Sequence, residues 1–171
     1  MEAIIVIILI MADQWTKGLS ERLIGSGDPL TVIPGFFEIS HLKNTGAAWS
    51  MFANQSWGLV LLSVLSSVVL FALLWWLRKA SDPRVKTVLI LLAAGSAGNL
   101  IDRLRIGAVT DFLSFTFGTY AFPTFNVADS LITIGAFLLI FFSLKDKHFL
   151  NVLLGEHERT ITSLEDERHE T

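Results

Sequence analysis

Cysteine is absent from the 171 residues, and that absence removes disulfides, thiolate nucleophiles and cysteine-ligated metals at once. Cysteine-protease chemistry is excluded with them. Histidine is scarce: His41, His148, His157 and His169 fall on separate loops or in the tail and make no metal-ligand spacing. The pattern calls for no metal and no cofactor. Charged residues make up only 17% of the chain, the formal net charge is −3, and the net negative charge lies in the acidic tail from Glu156 to Thr171. There is no basic stripe of the kind nucleic acid requires, so no nucleic-acid partner is expected. The N-terminus lacks the basic flank and small-residue cleavage site of a secretory signal, and further apolar blocks follow it, so it is read as a retained span. No internal repeat or low-complexity stretch divides the chain.

What the chain has in quantity is apolar surface. Hydrophobic residues make up 52% of it and the mean hydropathy is +0.58, too apolar for an ordinary soluble domain. A membrane-crossing helix needs roughly 20 mainly apolar residues. Four stretches approach that: Ala3 to about Leu23, Trp57 to Leu77, Val85 to about Leu104, and Val127 to Leu144. Asp13 and Lys17 interrupt the first.

Basic residues orient these spans. The turn "RKASDPRVK" holds Arg78, Lys79, Arg84 and Lys86, and Lys145 and Lys147 follow the fourth span, whereas Gly107 to Phe125 contains neither Lys nor Arg. Both termini are therefore expected in the cytoplasm and both longer loops outside. In the first outer segment, about 25–56, "LTVIPGFFEISHL" gives two short β-prone runs split by Pro34-Gly35, a turn signal. "GAAWSMFANQSW" then mixes small and aromatic residues, as a segment lying in the membrane interface does. The expected architecture is an all-α membrane protein of four transmembrane helices with a small extracytoplasmic β-sheet and an interfacial helical segment.

Ionisable and amide residues inside apolar blocks are costly, and each is a functional candidate. Asp129 lies three residues after Asn126, so Asn126 can N-cap the fourth span with Asp129 completing a capping box. Asp111 can equally be a wet residue just past the third span. These structural readings weaken together, because one outer loop returns both carboxylates to one membrane depth. Two adjacent carboxylates share a proton: the ionised partner takes a proton from water while the protonated one polarises a scissile carbonyl. The helix dipole of the fourth span favours ionised Asp129, making it the base and Asp111 the acid.

The third span carries "GSAGNLIDRL", where Gly95, Asn99, Asp102 and Arg103 share a helix face. Asn99 is placed to bond a substrate backbone, and Arg103 to meet a lipid phosphate or order a carboxylate. The alternative is interhelical adhesion, with Asp102 and Arg103 as an interfacial pair. In "DQWTK", Asp13 and Lys17 have the i, i+4 order of a helical ion pair. Asn44 can clamp an extended peptide or form a turn.

Taken in order, "DQWTK" at Asp13, "NTGAAWS" at Asn44, "GNLIDR" at Gly98, "GAVTDF" reaching Asp111, and "FNVADS" spanning Asn126 and Asp129 resemble the sequence blocks of lipoprotein signal peptidase, the bacterial signal peptidase II. The resemblance implies an aspartic endopeptidase of the bacterial cytoplasmic membrane. It would remove prolipoprotein signal peptides just before a diacylglyceryl-modified cysteine, use membrane lipid as its medium, and be inhibited by globomycin. It further implies that Asp111 and Asp129 are catalytic and that Asp13, Lys17, Asn44, Asn99, Arg103 and Asn126 support them. Residues 1–155 would form the peptidase unit and 156–171 an acidic cytoplasmic tail. The aromatic loop between the aspartates, punctuated by Gly118 and Pro123, is then expected to cover the site at the lipid surface. Two other classes share the polar pattern: a proton-coupled transport component, whose carboxylates would be distributed through the membrane depth, and a non-catalytic lipoprotein-binding module.

Overall fold

Each apolar block folds as a helix. A computed structural model describes residues 1–25, 27–45, 56–146 and 149–154. Its long helices are α1 (Glu2–Leu23), α2 (Ser56–Lys79), α3 (Pro83–Ile106) and α4 (Val127–Lys145), all four of them long and apolar enough to cross a membrane. The α3 helix starts before the apolar run does. Asp82 caps it by accepting from the backbone of Arg84 and Val85, and Pro83 sits at the first helical position, where a missing N–H costs nothing. The Arg84 side chain, hydrogen-bonded to Asp82, holds that carboxyl below the usual carboxylate range.

The α3 helix is the axis of the bundle, with α1, α2 and α4 packed around it. Its sequence explains why. Small residues Ala93, Ala94, Gly95, Ala97 and Gly98 are all buried, and in lipid such residues let backbones approach closely enough for dispersion to hold helices together. A Cβ at Gly95 would collide with the Ala128 carbonyl and lie 2.7 Å from Ile132 Cγ1 of α4, and one at Gly98 would strike the Asp13 carboxylate of α1. The outer faces of α1, α2 and α4 expose large apolar side chains such as Ile8, Phe71, Trp75 and Phe137. Intrahelical hydrogen bonding leaves those faces free to meet hydrocarbon.

One end of the bundle carries an antiparallel sheet ordered β1-β2-β3-β4: β1 (Leu30–Ile33), β2 (Phe37–Asn44), β3 (Val109–Phe117) and β4 (Tyr120–Ala121). The first two are the β-prone runs around Pro34-Gly35. The other two correct the expectation that Gly107 to Phe125 is a loop without strands. Residues 109–112 are buried on both faces, so no alternation advertises the strand. A neighbouring strand also satisfies the edge of β2, which would otherwise stand unpaired beside lipid. Gly107 (φ 71°) ends α3 in the left-handed conformation and Gly118 (φ 64°) turns β3 into β4.

A bulge sets the sheet's chemistry. Across β2 and β3, Ile39 pairs with Leu113 but Leu42 pairs with Asp111, so β2 holds one extra residue near Ser40–His41. That residue moves the Asp111 face of the sheet from odd to even positions of β2. It thereby places Asn44 on the same face as Asp111.

A short helix, α5 (Phe149–Leu154), follows α4 and was not expected from the sequence. Phe149 is fully buried against the ring of Phe142, 5.4 Å away, and Arg84 reaches Asp146 at 2.9 Å just before it. The greater part of the interfacial segment, residues 46–55, and the acidic tail lie outside the described residues. Because Gly95 meets backbone and Gly18 has nothing within 4 Å of its added Cβ, Gly95→Ala should cost about 1–3 kcal/mol and lower the thermal midpoint. Gly18→Ala should leave it unchanged or raise it, as thermal unfolding of the two variants in one detergent will test.

Candidate active site

Asp111 and Asp129 come from elements of different kind, a strand and a helix, and one amide joins them. Asn126 is the N-cap of α4: its Oδ1 accepts from Asp129 N at 2.9 Å, and Asp129 Oδ2 accepts from Asn126 N at 3.2 Å, completing the capping box. The Nδ2 of the same side chain donates to Asp111 Oδ1 at 2.7 Å. The capping box and the convergence of the two carboxylates are thus one structure. The other oxygen of Asp111 accepts from Asn44 Nδ2 at 3.0 Å, and Asn99 Nδ2 donates to Asp129 Oδ1 at 2.7 Å.

Beneath the pair is a buried ion cluster. Lys17 Nζ meets Asp13 Oδ2 at 2.9 Å, Asp102 Oδ2 at 3.1 Å and Asn99 Oδ1 at 3.0 Å, which uses all three ammonium donors. Gln14 Nε2 donates to Asp102 Oδ1 at 2.9 Å. Asp102 therefore turns inward to α1 and does not form the interfacial pair with Arg103 that the sequence suggested. The i, i+3 spacing of Asn99 and Asp102 was the available signal, since it sets both on the face that meets α1. Gln14 had no signal beyond its place beside Asp13.

The carboxylates open into a cavity of about 670 Å³ lined by the polar residues Asn44, Asn99, Arg103, Asp111 and Asp129 and by apolar ones including Phe122, Phe125, Ile132 and Ile134. All eight site residues expected from the sequence therefore gather in one place: five line the cavity, Asn126 joins the two aspartates, and Asp13 and Lys17 lie beneath. The Arg103 side chain makes no hydrogen bond or ion pair with another described residue, but its charge interacts with those of Asp129, Asp111 and Asp102. Gly118 stands at the β3–β4 turn, while Pro123 lines the cavity, so the aromatic segment walls the site from one side. Burial pushes the Asp111 carboxyl up to about 6; hydrogen bonds from Asn44 and Asn126 and the charge of Lys17 oppose that rise, and the charge of Asp129 adds to it.

Residues 5–145 match the family model described as signal peptidase (SPase) II. The chain belongs to the signal peptidase II family. A lipoprotein signal peptidase of Symbiobacterium thermophilum is 35% identical to it over 159 residues, which cover 92% of this chain and 97% of that protein. One from Desulforapulum autotrophicum is 41% identical over 138 residues, 78% of this chain and 85% of the relative. Among solved structures, a bacterial membrane enzyme determined by the in meso method at 2.3 Å resolution aligns with a TM-score of 0.76 at 34% identity, covering 85% of this chain and 88% of its own. With its four apolar helices, this member of the signal peptidase II family is a multi-pass membrane peptidase.

The dual use of Asn126 separates two effects. Asn126→Ala removes an N-cap worth about 1 kcal/mol as well as the tie to Asp111. Asn126→Ser keeps a capping oxygen but is too short to reach Asp111. Serine should recover most of the thermal stability lost in the alanine variant while leaving peptidase turnover low, a dissociation that melting curves and rates measured on both proteins will test.

Proposed function

We propose that the chain is an aspartic endopeptidase that removes signal peptides from bacterial prolipoproteins, cutting just before the diacylglyceryl-modified cysteine. The observation that carries this reading is the pair of carboxylates, Asp111 and Asp129, tied to one asparagine, Asn126, at the wall of a cavity lined by both polar and apolar residues. Family membership supports it, as do relatives named lipoprotein signal peptidase.

In the mechanism, Asp129 is ionised at the N-terminus of α4, where the helix dipole favours negative charge, and Asp111 carries the shared proton. A water drawn between them loses a proton to Asp129 and attacks the scissile carbonyl, whose oxygen is polarised by the Asp111 proton. The resulting tetrahedral centre collapses as the C–N bond breaks. The proton held by Asp129 passes to the leaving nitrogen, and the proton given to the carbonyl oxygen returns to the pair. Asn99, Asn44 and Asn126 hold the carboxylates in register throughout, and Arg103 balances charge at the mouth. No metal or cofactor enters.

The uneven distribution of Lys and Arg supports an inner-membrane orientation with both termini cytoplasmic, and with the sheet, the 25–56 segment and the active site on the extracytoplasmic side. In this reading 1–155 is the peptidase unit and 156–171 a cytoplasmic tail. The acyl chains of the substrate stay in lipid, each methylene contributing about 0.8 kcal/mol to keeping the cysteine at the depth of the carboxylates. Cyclic peptides of the globomycin type would occupy the same cavity. The two aspartates line one cavity, which argues against a proton relay with carboxylates spread through the membrane.

The test is cleavage of a diacylglyceryl-modified precursor by purified protein. Asp111→Asn and Asp129→Asn should each lower kcat by a factor on the order of 10³ while the variants remain folded and inserted; full turnover by either would overturn the reading. A second test uses acidity. Asn44 stabilises ionised Asp111, whose carboxyl lies at about 6, so removing the amide raises that value further. The alkaline limb of kcat/KM, where Asp111 loses its proton, should therefore move to higher pH in Asn44→Ala, as a pH–rate profile will measure.

A further inference from the structure

The residue immediately before each aspartate has its backbone N–H held by a buried carboxylate. Ala128 N, next to Asp129, donates to Asp13 Oδ1 at 2.8 Å. Thr110 N, next to Asp111, donates to Asp102 Oδ2 at 3.0 Å. The two carboxylates come from different helices, α1 and α3, yet one ammonium, Lys17, bridges them at 2.9 and 3.1 Å. Asp13, Lys17 and Asp102 are at most 5% exposed at their side chains, so no water substitutes for these contacts.

We propose that Asp102 is a positioning residue of the active site, which fixes the backbone that carries Asp111 and, through Lys17 and Asp13, ties it to the backbone that carries Asp129. This rests on the aspartic reading above. Thr110 stands three residues beyond the end of α3 at Gly107, where the chain leaves a helix for a strand. Its N–H goes to a side chain of the helix it has just left. Asp102 therefore sets the angle at which β3 departs, and with it the place of the Asp111 carboxyl. Gln14 Nε2, which donates to Asp102 Oδ1 at 2.9 Å, also donates to the Gly98 carbonyl at 3.2 Å and holds the rotamer. Asp13 performs the same task for α4. Because both meet Lys17, a displacement of one carrier strains the anchor of the other.

The residue types suit a device that must be stiff. A shift of about 1 Å in a reacting group costs roughly 100-fold in rate, and loops at helix-to-strand junctions have little rigidity of their own. The device also carries charge. Charge acts on Asp111 from Asp129 of α4, Lys17 of α1 and Arg103 of α3; Asp13 of α1 acts on Asp129, Asp102 of α3 meets Thr110 N–H and Lys17, and β2 contributes the neutral amide of Asn44, its neighbour Lys43 being exposed.

Two substitutions separate the functions of Asp102. Asp102→Ala removes the acceptor for Thr110 N–H. Asp102→Asn keeps an oxygen for Thr110 and Lys17, gives up the bond from Gln14, whose Nε2 still has the Gly98 carbonyl and Asp13 Oδ2, and deletes one negative charge. Steady-state cleavage of a diacylglyceryl-modified precursor is measured for both across pH, with Asp111→Asn as control. We expect Asp102→Ala to lose at least tenfold in kcat with KM within about twofold, since positioning acts on the transition state. Asp102→Asn should recover kcat to within about threefold of the unsubstituted protein. Its alkaline limb should shift to lower pH, because losing a neighbouring negative charge makes Asp111 easier to ionise; a merely structural role would leave that limb in place. Normal kcat in Asp102→Ala, an effect confined to KM, or equal loss in both variants would overturn the proposal. If Asp102→Ala cannot be recovered folded, Asp102→Asn decides alone: near-normal kcat with the shifted limb supports positioning, and a tenfold loss or an unmoved limb overturns it. An active Asp111→Asn control would sink the aspartic reading itself and leave the outcome for Asp102 separately legible.

Discussion

A lysine ammonium enclosed in a membrane-crossing bundle is the constraint around which this molecule is arranged. Lys17 is 4% exposed and has two carboxylates and an amide oxygen for company. A buried charge deprived of one partner is destabilising by about 3–5 kcal/mol, so α1 and α3 cannot slide or rotate against each other without leaving part of the cluster unpaired. Dispersion between small residues brings the helices close, but it is nearly uniform along an apolar stripe and specifies register poorly. The ion cluster supplies what packing lacks: one position at which all donors and acceptors match. Asp13 then extends the specification to the N-terminus of α4, and Asp102 to the start of the sheet.

On that frame the site is assembled largely from amides. Asn44, Asn99 and Asn126 each donate to one of the two aspartates, and an amide can face a carboxylate in either protonation state without a net charge of its own. Under the proposed mechanism such partners hold geometry while the proton moves. A cation in direct contact would instead lock both carboxylates in the ionised form. Lys17 stands one contact away, bonded to Asn99, and Arg103 is at the cavity wall without an ion pair to any described residue. Their attraction is felt but does not take the proton's place.

Much of this was legible in the sequence, for identifiable reasons. The spans followed from apolar run length, and the convergence of Asp111 and Asp129 from their places at the two ends of one connection between spans. The capping box was read from the Asn126 to Asp129 spacing, and the Asp13–Lys17 pair from i, i+4 geometry. What escaped depends on contacts distant in the chain. The β3 strand was hidden because its first residues are buried on both sides. The β2 bulge that turns Asn44 toward Asp111 has no sequence code. Asp102 was matched to its chain neighbour Arg103, when its true partner is Lys17, 85 positions earlier and reachable only once α1 and α3 are packed. The α5 helix is too short to announce itself by periodicity, and is held by Phe149 and by the Arg84–Asp146 contact across the bundle end.

The α2 helix stands apart from all of this. It rests on α3, contributes no residue to the cavity wall, and shows nearly all of its surface outward, with only Gly58 and Leu77 buried among residues 57–79. Its side chains therefore answer to lipid rather than to protein, and almost any apolar residue serves at most positions. Packing constrains α3 far more than α2. A lineage that changes the thickness or fluidity of its envelope can retune α2 alone, adapting the enzyme to a new bilayer without disturbing an atom of its chemistry.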